Sequence, residues 1–263
     1  MVIYEPKGKA REYSPYACNI YNGCNHGCKY CYAAGMRYKK REDYLIPIAR
    51  KNIISNFEND CKKLNNFNSQ VLFCFMTDPY NIEEKEQMLT RRCLEIALHY
   101  KISIAILTKS VLVLRDIDIF KKFGKNIKVG CTITFDNDKD SKEWEPGASL
   151  PFERFEVLKI LKMNNIATWA SFEPVIIPEQ SLRMMQIAMR YIDIYKIGKL
   201  NNYKGLDKKI NWNEFLQSSI NLLRENKKLF YVKRDLRLAA PKIELFGNEK
   251  LQDSFNLNGW QAT

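Results

Sequence analysis

The feature that most constrains the fold is a regular alternation of apolar runs with stretches of helical periodicity. Residues 71–76 form an unbroken apolar run, which is typical of a parallel strand buried on both faces. Strands and helices that alternate about six times predict parallel strands joined by right-handed crossovers. The predicted strands are residues 16–21, 71–76, 102–107, 127–135, 166–172, 192–197 and 229–232.

Apolar residues spaced three or four apart predict the helices between these strands. The predicted helices are residues 44–64, 88–100, 112–123, 152–163, 179–191 and 213–225. Residues 1–15 are polar and predict an extended lead-in, whereas residues 236–263 predict a C-terminal extension. Residues 16–235 then form one α/β domain, which at this length can bury a large core.

Polar residues follow several of the predicted strands. In parallel α/β proteins the functional site lies at the carboxyl ends of the strands, so these residues are expected to meet at one rim. The residues at the strand ends are Thr77, Asp78, Thr108, Lys109, Thr132, Glu173 and Lys199.

Residues 23–32, here called the cysteine loop, contain three cysteines at C-x3-C-x2-C spacing, namely Cys24, Cys28 and Cys31. Three thiolates are one fewer than a closed tetrahedral zinc site or a four-cysteine iron–sulfur site requires. An iron–sulfur cluster held in this way has one iron open to a ligand that is not protein. The alternative is a structural zinc site completed by Cys18 or His26.

Composition narrows the setting and the class of partner. Eight cysteines without a secretory pattern predict reduced thiols, and a chain with neither a long apolar run nor a signal peptide is expected in the cytoplasm, away from membranes. The 42 basic and 30 acidic residues give a net charge of +12. This excess favours DNA or RNA as a partner, although dispersed lysines also fit a compositional bias.

The cysteine motif resembles that of radical S-adenosylmethionine enzymes, and the flanking sequence resembles their spore photoproduct lyase-like group. The similarity runs in order from about residue 14 to about residue 200. It rests on Gly-Cys-Asn-His-Gly-Cys-Lys-Tyr-Cys-Tyr at 23–32, Thr-Asp-Pro-Tyr at 77–80, Leu-Thr-Lys-Ser at 107–110, Leu-Arg-Asp at 114–116 and the stretch 145–154. The resemblance implies a partial (β/α)6 barrel of TIM type, with the cluster loop after the first strand.

The same resemblance implies two cofactors. A [4Fe–4S] cluster on Cys24, Cys28 and Cys31 would bind S-adenosylmethionine at its fourth iron. Electron transfer from a donor such as flavodoxin or ferredoxin would cleave the sulfonium and give a 5′-deoxyadenosyl radical, which abstracts hydrogen from the substrate.

Only the resemblance indicates which residues would contact S-adenosylmethionine. Lys109 matches a lysine that pairs with the carboxylate of the methionine moiety. Thr77 and Thr132 match hydroxyl residues that contact the same ligand, and Tyr30 matches an aromatic residue near its adenine. Asp78 is a candidate acceptor for the methionine ammonium.

Three further positions have less direct matches. Arg154 is a candidate for holding the same carboxylate. Tyr32 matches a tyrosine on the substrate side of spore photoproduct lyase and is a candidate catalytic residue. That lyase has a hydrogen-donating cysteine where this chain has Phe75. Cys74 stands one residue earlier and faces the other side of a strand, so it is either a displaced donor or a core thiol.

Three functional hypotheses remain open at the level of sequence. The first is radical chemistry on an unassigned substrate, with nucleic acid favoured by the charge. The second keeps that chemistry but directs it to a peptide or a small metabolite. The third is a non-catalytic nucleic-acid-binding module stabilised by zinc.

Overall fold

The computed structural model describes residues 1–37, 40–64, 70–201, 203 and 205–250. The strands within these ranges are β1 Ile3–Tyr4, β2 Tyr16–Cys18, β3 Tyr21–Asn22, β4 Ile48–Ala49, β5 Gln70–Phe73, β6 Ser103–Thr108, β7 Ile127–Thr132, β8 Ala167–Phe172, β9 Ile194–Ile197 and β10 Leu229–Val232.

The helices cover the outside of the main sheet. The α-helices are α1 Ala33–Arg37, α2 Arg41–Tyr44, α3 Ile53–Lys63, α4 Glu84–Gln87, α5 Leu89–His99, α6 Ile117–Phe123, α7 Asp138–Trp144, α8 Pro151–Met163, α9 Pro178–Ile187, α10 Trp212–Glu225, α11 Arg234–Ala239 and α12 Gly247–Lys250. Short 3-10 helices lie at Gly8–Glu12, Val111–Asp116, Gly124–Asn126 and Asp207–Lys209. None of the helices in the described residues is long and apolar enough to cross a bilayer.

The main sheet confirms the predicted fold class, a partial (β/α)6 barrel of TIM type. Its strand order is β1-β2-β5-β6-β7-β8-β9-β10. The strands from β2 to β10 in this sheet are parallel to their neighbours, and β1 is antiparallel to β2 at the edge. The carboxyl ends of the parallel strands therefore share one rim.

Trp169 of β8 explains how the interior of the barrel is filled. Its indole Nε1 reaches across β7 and donates to the carbonyl of Ile106 in β6 at 2.9 Å. A Cβ at Gly130 of β7 would lie 2.5 Å from the Trp169 ring, so the intervening strand needs glycine there. Because the ring packs with Leu72 and Tyr231 inside the sheet, the barrel interior is a core and not a channel.

Two predicted elements near the cysteine loop are wrong in extent. The predicted helix 44–64 begins only at Ile53, because Ile48–Ala49 pairs with β3 and Asn52 adopts a left-handed φ of 52°. The predicted strand 16–21 ends at Cys18, and Tyr21–Asn22 belongs to the separate two-stranded sheet. The predicted helix 112–123 also differs, because its first turns form a 3-10 helix.

The first fifteen residues contribute directly to the barrel. Val2 and Ile3 are buried, and both backbone amides donate to Asp60. Glu12 accepts from the Tyr231 hydroxyl and from the Arg234 amide, each at 2.7 Å, so it joins the chain start to the last strand. At the other terminus, residues 251–263 of the predicted extension lie outside the described residues. The proposed boundaries at residues 15 and 235 stay predictions.

Candidate active site

A cavity of about 660 Å³ lies at the carboxyl rim of the barrel. Every parallel strand contributes to its wall, either with its last residue or with the loop that follows. The sequence-predicted residues in this wall are Cys24, Cys28, Tyr30, Cys31, Tyr32, Cys74, Thr77, Asp78, Lys109 and Thr132. The structure thus brings together ten of the eleven predicted site residues, and Arg154 is the exception.

The cavity has two sides. The cysteine side consists of the cysteine loop together with the ends of β5, β6 and β7. The N-terminal side consists of residues 4–13 together with the ends of β8, β9 and β10. The wall of the N-terminal side includes Tyr4, Lys7, Lys9, Tyr13, Glu173, Lys199 and Lys233.

Glycine and backbone contacts hold the cysteine loop in place. Gly23 has a φ of +82°, and a Cβ there would lie 2.7 Å from the carbonyl oxygens of both Tyr44 and Ile46. The amide of Cys24 donates to that Tyr44 carbonyl at 2.7 Å. On the far side of the loop, Arg41 donates to the Cys28 carbonyl. These contacts therefore fix the conformation of the loop backbone.

Tyr44 is a site residue that the sequence did not reveal. Its hydroxyl donates to the Met76 carbonyl at 2.7 Å, and the Cys31 sulfur lies 3.8 Å from the Tyr44 hydroxyl oxygen. The residue stands at the end of α2, in a stretch that the sequence assigned to a longer helix. Nothing local marked it as part of the cavity.

The three thiols fit the cluster that their spacing predicts. They converge on one end of the cavity, whereas Cys18 packs in the core on the helix side of the sheet and does not line the wall described here. Burial raises the pKa of the Cys28 thiol to about 11, and it also raises the pKa of Cys24. Iron binding would offset this cost, since metal ions bind the thiolate.

Within the described ranges, no three cysteine, histidine, aspartate or glutamate side chains are close enough to share a single metal ion.

Asp78 anchors the ends of two neighbouring strands. Its carboxylate accepts from the Tyr80 amide at 2.8 Å, the Thr108 hydroxyl at 2.7 Å and the Lys109 amide at 2.8 Å. His26 Nδ1 lies 3.5 Å from the same carboxylate, and burial lowers the pKa of His26. Asp78 thus fixes the backbone of Lys109 at the cavity, in addition to the ligand contact predicted for it.

Lys109 is a partly buried cation on the cysteine side, with its Nζ 5.7 Å from the centre of the Tyr30 ring. Burial opposes the charge, but the nearby Cys28, Glu145 and Asp78 outweigh it and raise the pKa of Lys109. The ammonium is therefore charged at neutral pH and faces a cavity in which an anionic group would pair with it.

Arg154 lies behind the wall rather than in it. The side chain is 1% exposed. Its Nε donates to the Ser149 carbonyl and Nη1 to the Thr132 carbonyl, each at 2.8 Å, and Nη2 pairs with Glu145. Glu145 in turn accepts from the Tyr30 hydroxyl. Arg154 thus positions Tyr30 through Glu145, while its predicted contact with a ligand carboxylate stays a prediction.

Thr77, Thr132, Tyr32 and Cys74 occupy different depths of the wall. The Thr77 hydroxyl donates to the Gly23 carbonyl and so ties β5 to the cysteine loop. Tyr32 is half exposed at the mouth, with its ring 5.9 Å from Phe75. Cys74 is buried, and its sulfur accepts from the Ile20 amide at 3.3 Å. Thr132 ends β7 and is buried.

The N-terminal side is a network of buried charges around Tyr13. Two lysine amines lie close to the Tyr13 ring, with Lys196 Nζ 4.0 Å and Lys233 Nζ 4.5 Å from its centroid. Burial, followed by the neighbouring Lys233 and Lys128, lowers the pKa of Lys196 well below its usual value. Residues 4–13 precede every sequence motif, so no local signal identified them as a cavity wall.

Comparison with known proteins finds a family model and a relative that match this chain. The family model described as the radical SAM superfamily matches residues 18–192. An uncharacterised protein of Methanocaldococcus jannaschii is 34% identical over 165 residues, which is 61% of this chain and 60% of that protein. The match therefore spans less than two thirds of this relative's length.

Solved structures share the fold at low sequence identity. Spore photoproduct lyase complexed with dinucleoside spore photoproduct has a TM-score of 0.66 at 13% identity, covering 88% of this chain and 78% of that one. Streptococcus suis SuiB bound to its precursor peptide SuiA has a TM-score of 0.63 at 16% identity, covering 91% and 54%.

Proposed function

Because the chain belongs to the radical SAM superfamily, we propose that it is a radical SAM enzyme that abstracts hydrogen from a nucleic acid substrate. The family membership establishes radical chemistry with a [4Fe–4S] cluster and S-adenosylmethionine. When bound, these cofactors supply a carbon-centred radical through one-electron cleavage of the sulfonium. Membership also excludes the alternative of a non-catalytic zinc module.

The chain's own residues would hold the cofactors on the cysteine side. Cys24, Cys28 and Cys31 would bind the cluster at one end of the cavity. Lys109 would pair with the methionine carboxylate, because it is a partly buried ammonium that lines the same space. The hydroxyl of Thr132 and the ring of Tyr30 line that space as well. Exclusion of water by these walls protects a radical from side reactions.

The observation that supports a nucleic acid substrate is the composition of the N-terminal side. Lys7, Lys9 and Lys199 line it together with Tyr4 and Tyr13. Lysines neutralise phosphates, and aromatic rings stack on bases, so this combination suits a single-stranded segment. Tyr32, at the mouth between the two sides, is our candidate for contact with the reacting part of the substrate.

A peptide is the second candidate, and one observation favours it. Lys9 pairs with Asp235, and Lys199 lies 3.5 Å from Asp207, so part of the basic charge is already neutralised. A wall of mixed charge also suits a peptide backbone with polar side chains.

The test is formation of 5′-deoxyadenosine by the anaerobically reconstituted enzyme with dithionite. Single-stranded DNA and RNA oligonucleotides are added in parallel with a pool of short peptides. We expect stimulation by an oligonucleotide, with binding that weakens steeply as salt rises. Stimulation by peptides alone would reject nucleic acid in favour of the second candidate.

Radical SAM enzymes need a reductant. We propose flavodoxin or ferredoxin as the physiological donor, and the cytoplasm as the place of reaction. Replacement of dithionite by reduced flavodoxin in the same assay tests the donor.

A further inference from the structure

Glu173 and Lys233 form a charged pair in the wall of the N-terminal side. Glu173 follows β8 and Lys233 follows β10, and their side chains are 13% and 5% exposed. Lys233 Nζ lies 2.5 Å from Glu173 Oε2, and the Tyr13 hydroxyl donates to the same oxygen. Three separate segments of the chain therefore fix one carboxylate at the cavity.

Each partner of this pair keeps hydrogen-bonding capacity toward the cavity. Both protein donors go to Oε2 of Glu173, and Oε1 receives none from the described residues. Lys233 has three N–H donors, and within the same residues Glu173 is the acceptor that they contact. An available acceptor and available donors thus stand side by side on the wall.

Gly198 lies directly against the Glu173 carboxylate. A Cβ at this position would lie 2.8 Å from Oε1 and 2.7 Å from the carboxyl carbon of Glu173. Glycine at the end of β9 therefore keeps a side chain away from the oxygen that has no protein donor.

We propose that the Glu173–Lys233 pair is a specificity subsite that recognises the hydrogen-bonding edge of a nucleobase. This inference rests on the proposed nucleic acid substrate. The pair has no net charge and its carboxylate repels phosphate, so it suits an uncharged group. Base edges present adjacent N–H donors and N or O acceptors, and carboxylates and lysines bind them in complexes with DNA. The phosphates of the same substrate would bind to Lys7, Lys9 and Lys199.

Substitution of one atom type tests this assignment. Glu173→Gln keeps the shape of the side chain but replaces one acceptor with a donor, so it changes which base edge fits. Gly198→Ala keeps both charges and obstructs Oε1. Lys7→Met is the matched control, because Lys7 lies on the same side but would contact phosphate.

The measurement is fluorescence anisotropy with the reconstituted holoenzyme in the presence of S-adenosylmethionine. The probes are labelled oligo(dA), oligo(dC) and oligo(dT) of about 12 nucleotides, a length near the site size of single-strand binders, titrated at several salt concentrations. We expect Glu173→Gln to change the ratio of affinities for two of these probes about tenfold, within the range for one base contact. The salt dependence should stay the same.

Lys7→Met should instead weaken all three probes equally and lower the salt slope by about 1. A uniform loss in Glu173→Gln, with no change in ranking, would overturn the subsite while leaving a nucleic acid substrate intact. Failure of the wild type to bind any probe would reject the nucleic acid substrate, and the subsite with it. If wild type binds capped dipeptides and Glu173→Gln does not, the pair recognises peptide amides, which also overturns the proposal.

Gly198→Ala provides the result if Glu173→Gln fails to fold. If this variant loses the wild-type order of affinities for the three probes while the salt slope is unchanged, the result supports the subsite. Retention of the wild-type ranking contradicts it.

Discussion

The two sides of the cavity differ in how their residues are held. On the cysteine side, ten consecutive residues supply the thiols and the glycines, and short-range contacts such as Cys31 to Cys28 set the loop. On the N-terminal side, Tyr13 and Glu173 are 160 positions apart, and Lys233 lies 60 positions beyond Glu173. A local motif supplies the thiols of the first side, whereas the charged network of the second joins segments that are distant in the chain.

This difference corresponds to a division of labour. The chemistry shared by a superfamily needs a fixed arrangement, and a short loop provides one. The substrate differs from enzyme to enzyme, and a wall assembled from distant segments can change one residue at a time. The following substitutions test whether the two sides are separable.

The largest effect is expected from Cys28→Ala. The variant should lose the brown colour and form no 5′-deoxyadenosine, because two thiols remain where the site needs three. Iron content and visible absorption are measured after anaerobic reconstitution. Cys18→Ala is the control: it should keep its iron and lose about 1 kcal/mol of stability, a common cost of a point mutation. Iron loss in the control would make Cys18 a ligand.

Lys109→Met should weaken S-adenosylmethionine binding about 10- to 100-fold, since a hydrogen bond to a charged group contributes about 1.5–3 kcal/mol. Equilibrium dialysis of the reconstituted enzyme gives the dissociation constant. Lys7→Met, the same change on the N-terminal side, should leave this constant unaltered. Equal weakening by both substitutions would show that the two sides do not act separately.

Glycine substitutions compare the rigidity of the two sides. Gly8 has a φ of +59°, and a Cβ added there would meet no atom of the described residues within 4 Å. Gly8→Ala should therefore cost only the left-handed penalty of about 1 kcal/mol. Gly23→Ala also displaces two backbone carbonyls and should cost about 1–3 kcal/mol more. Urea unfolding of the apoprotein gives both values. Similar losses would mean that the cysteine loop adjusts easily.

A pH-dependent effect concerns the interior beneath both sides. Burial lowers the pKa of Lys128 from 10.5 to about 7. The unfolded chain binds this proton more tightly, so stability should rise with pH between about 7 and 10.5, by up to about 1.4 kcal/mol per unit. Lys128→Met should flatten that rise in urea unfolding curves. The exposed Lys125→Met should not, and an unchanged slope in Lys128→Met would contradict the assignment.

The sequence predicted the barrel and most of the cysteine side. Apolar runs and the helical periodicity between them located the parallel strands to within a few residues, because strands buried on both faces are continuously apolar in sequence. The helix predicted over 44–64 starts too early, because the spacing of apolar residues does not register Pro47 or the left-handed backbone at Asn52. Tyr44 was missed for the same reason, since its role depends on a turn that the pattern concealed.

The N-terminal side was largely beyond sequence reasoning. Glu173 and Lys199 stood out only as polar residues at strand ends. Lys233 also follows a predicted strand, 229–232, but was not singled out, and Tyr13 lies in residues 1–15, which gave only a weak polar signal. Their association depends on the curvature of the sheet, which brings residues 4–13 close to the end of β10. Arg154 shows the opposite case: the motif match identified the residue but did not reveal that it lies behind the cavity wall.

The contact of Glu12 with Tyr231 and Arg234 has an evolutionary consequence. Side-chain groups, and not a ladder of paired strands, join residues 4–13 to the last strand of the barrel in the described part of the chain. Side-chain changes in residues 5–13 therefore leave the hydrogen bonds of the sheet intact. Selection can alter which substrates enter without first rebuilding the fold, so substrate preference and stability can diverge along separate lineages.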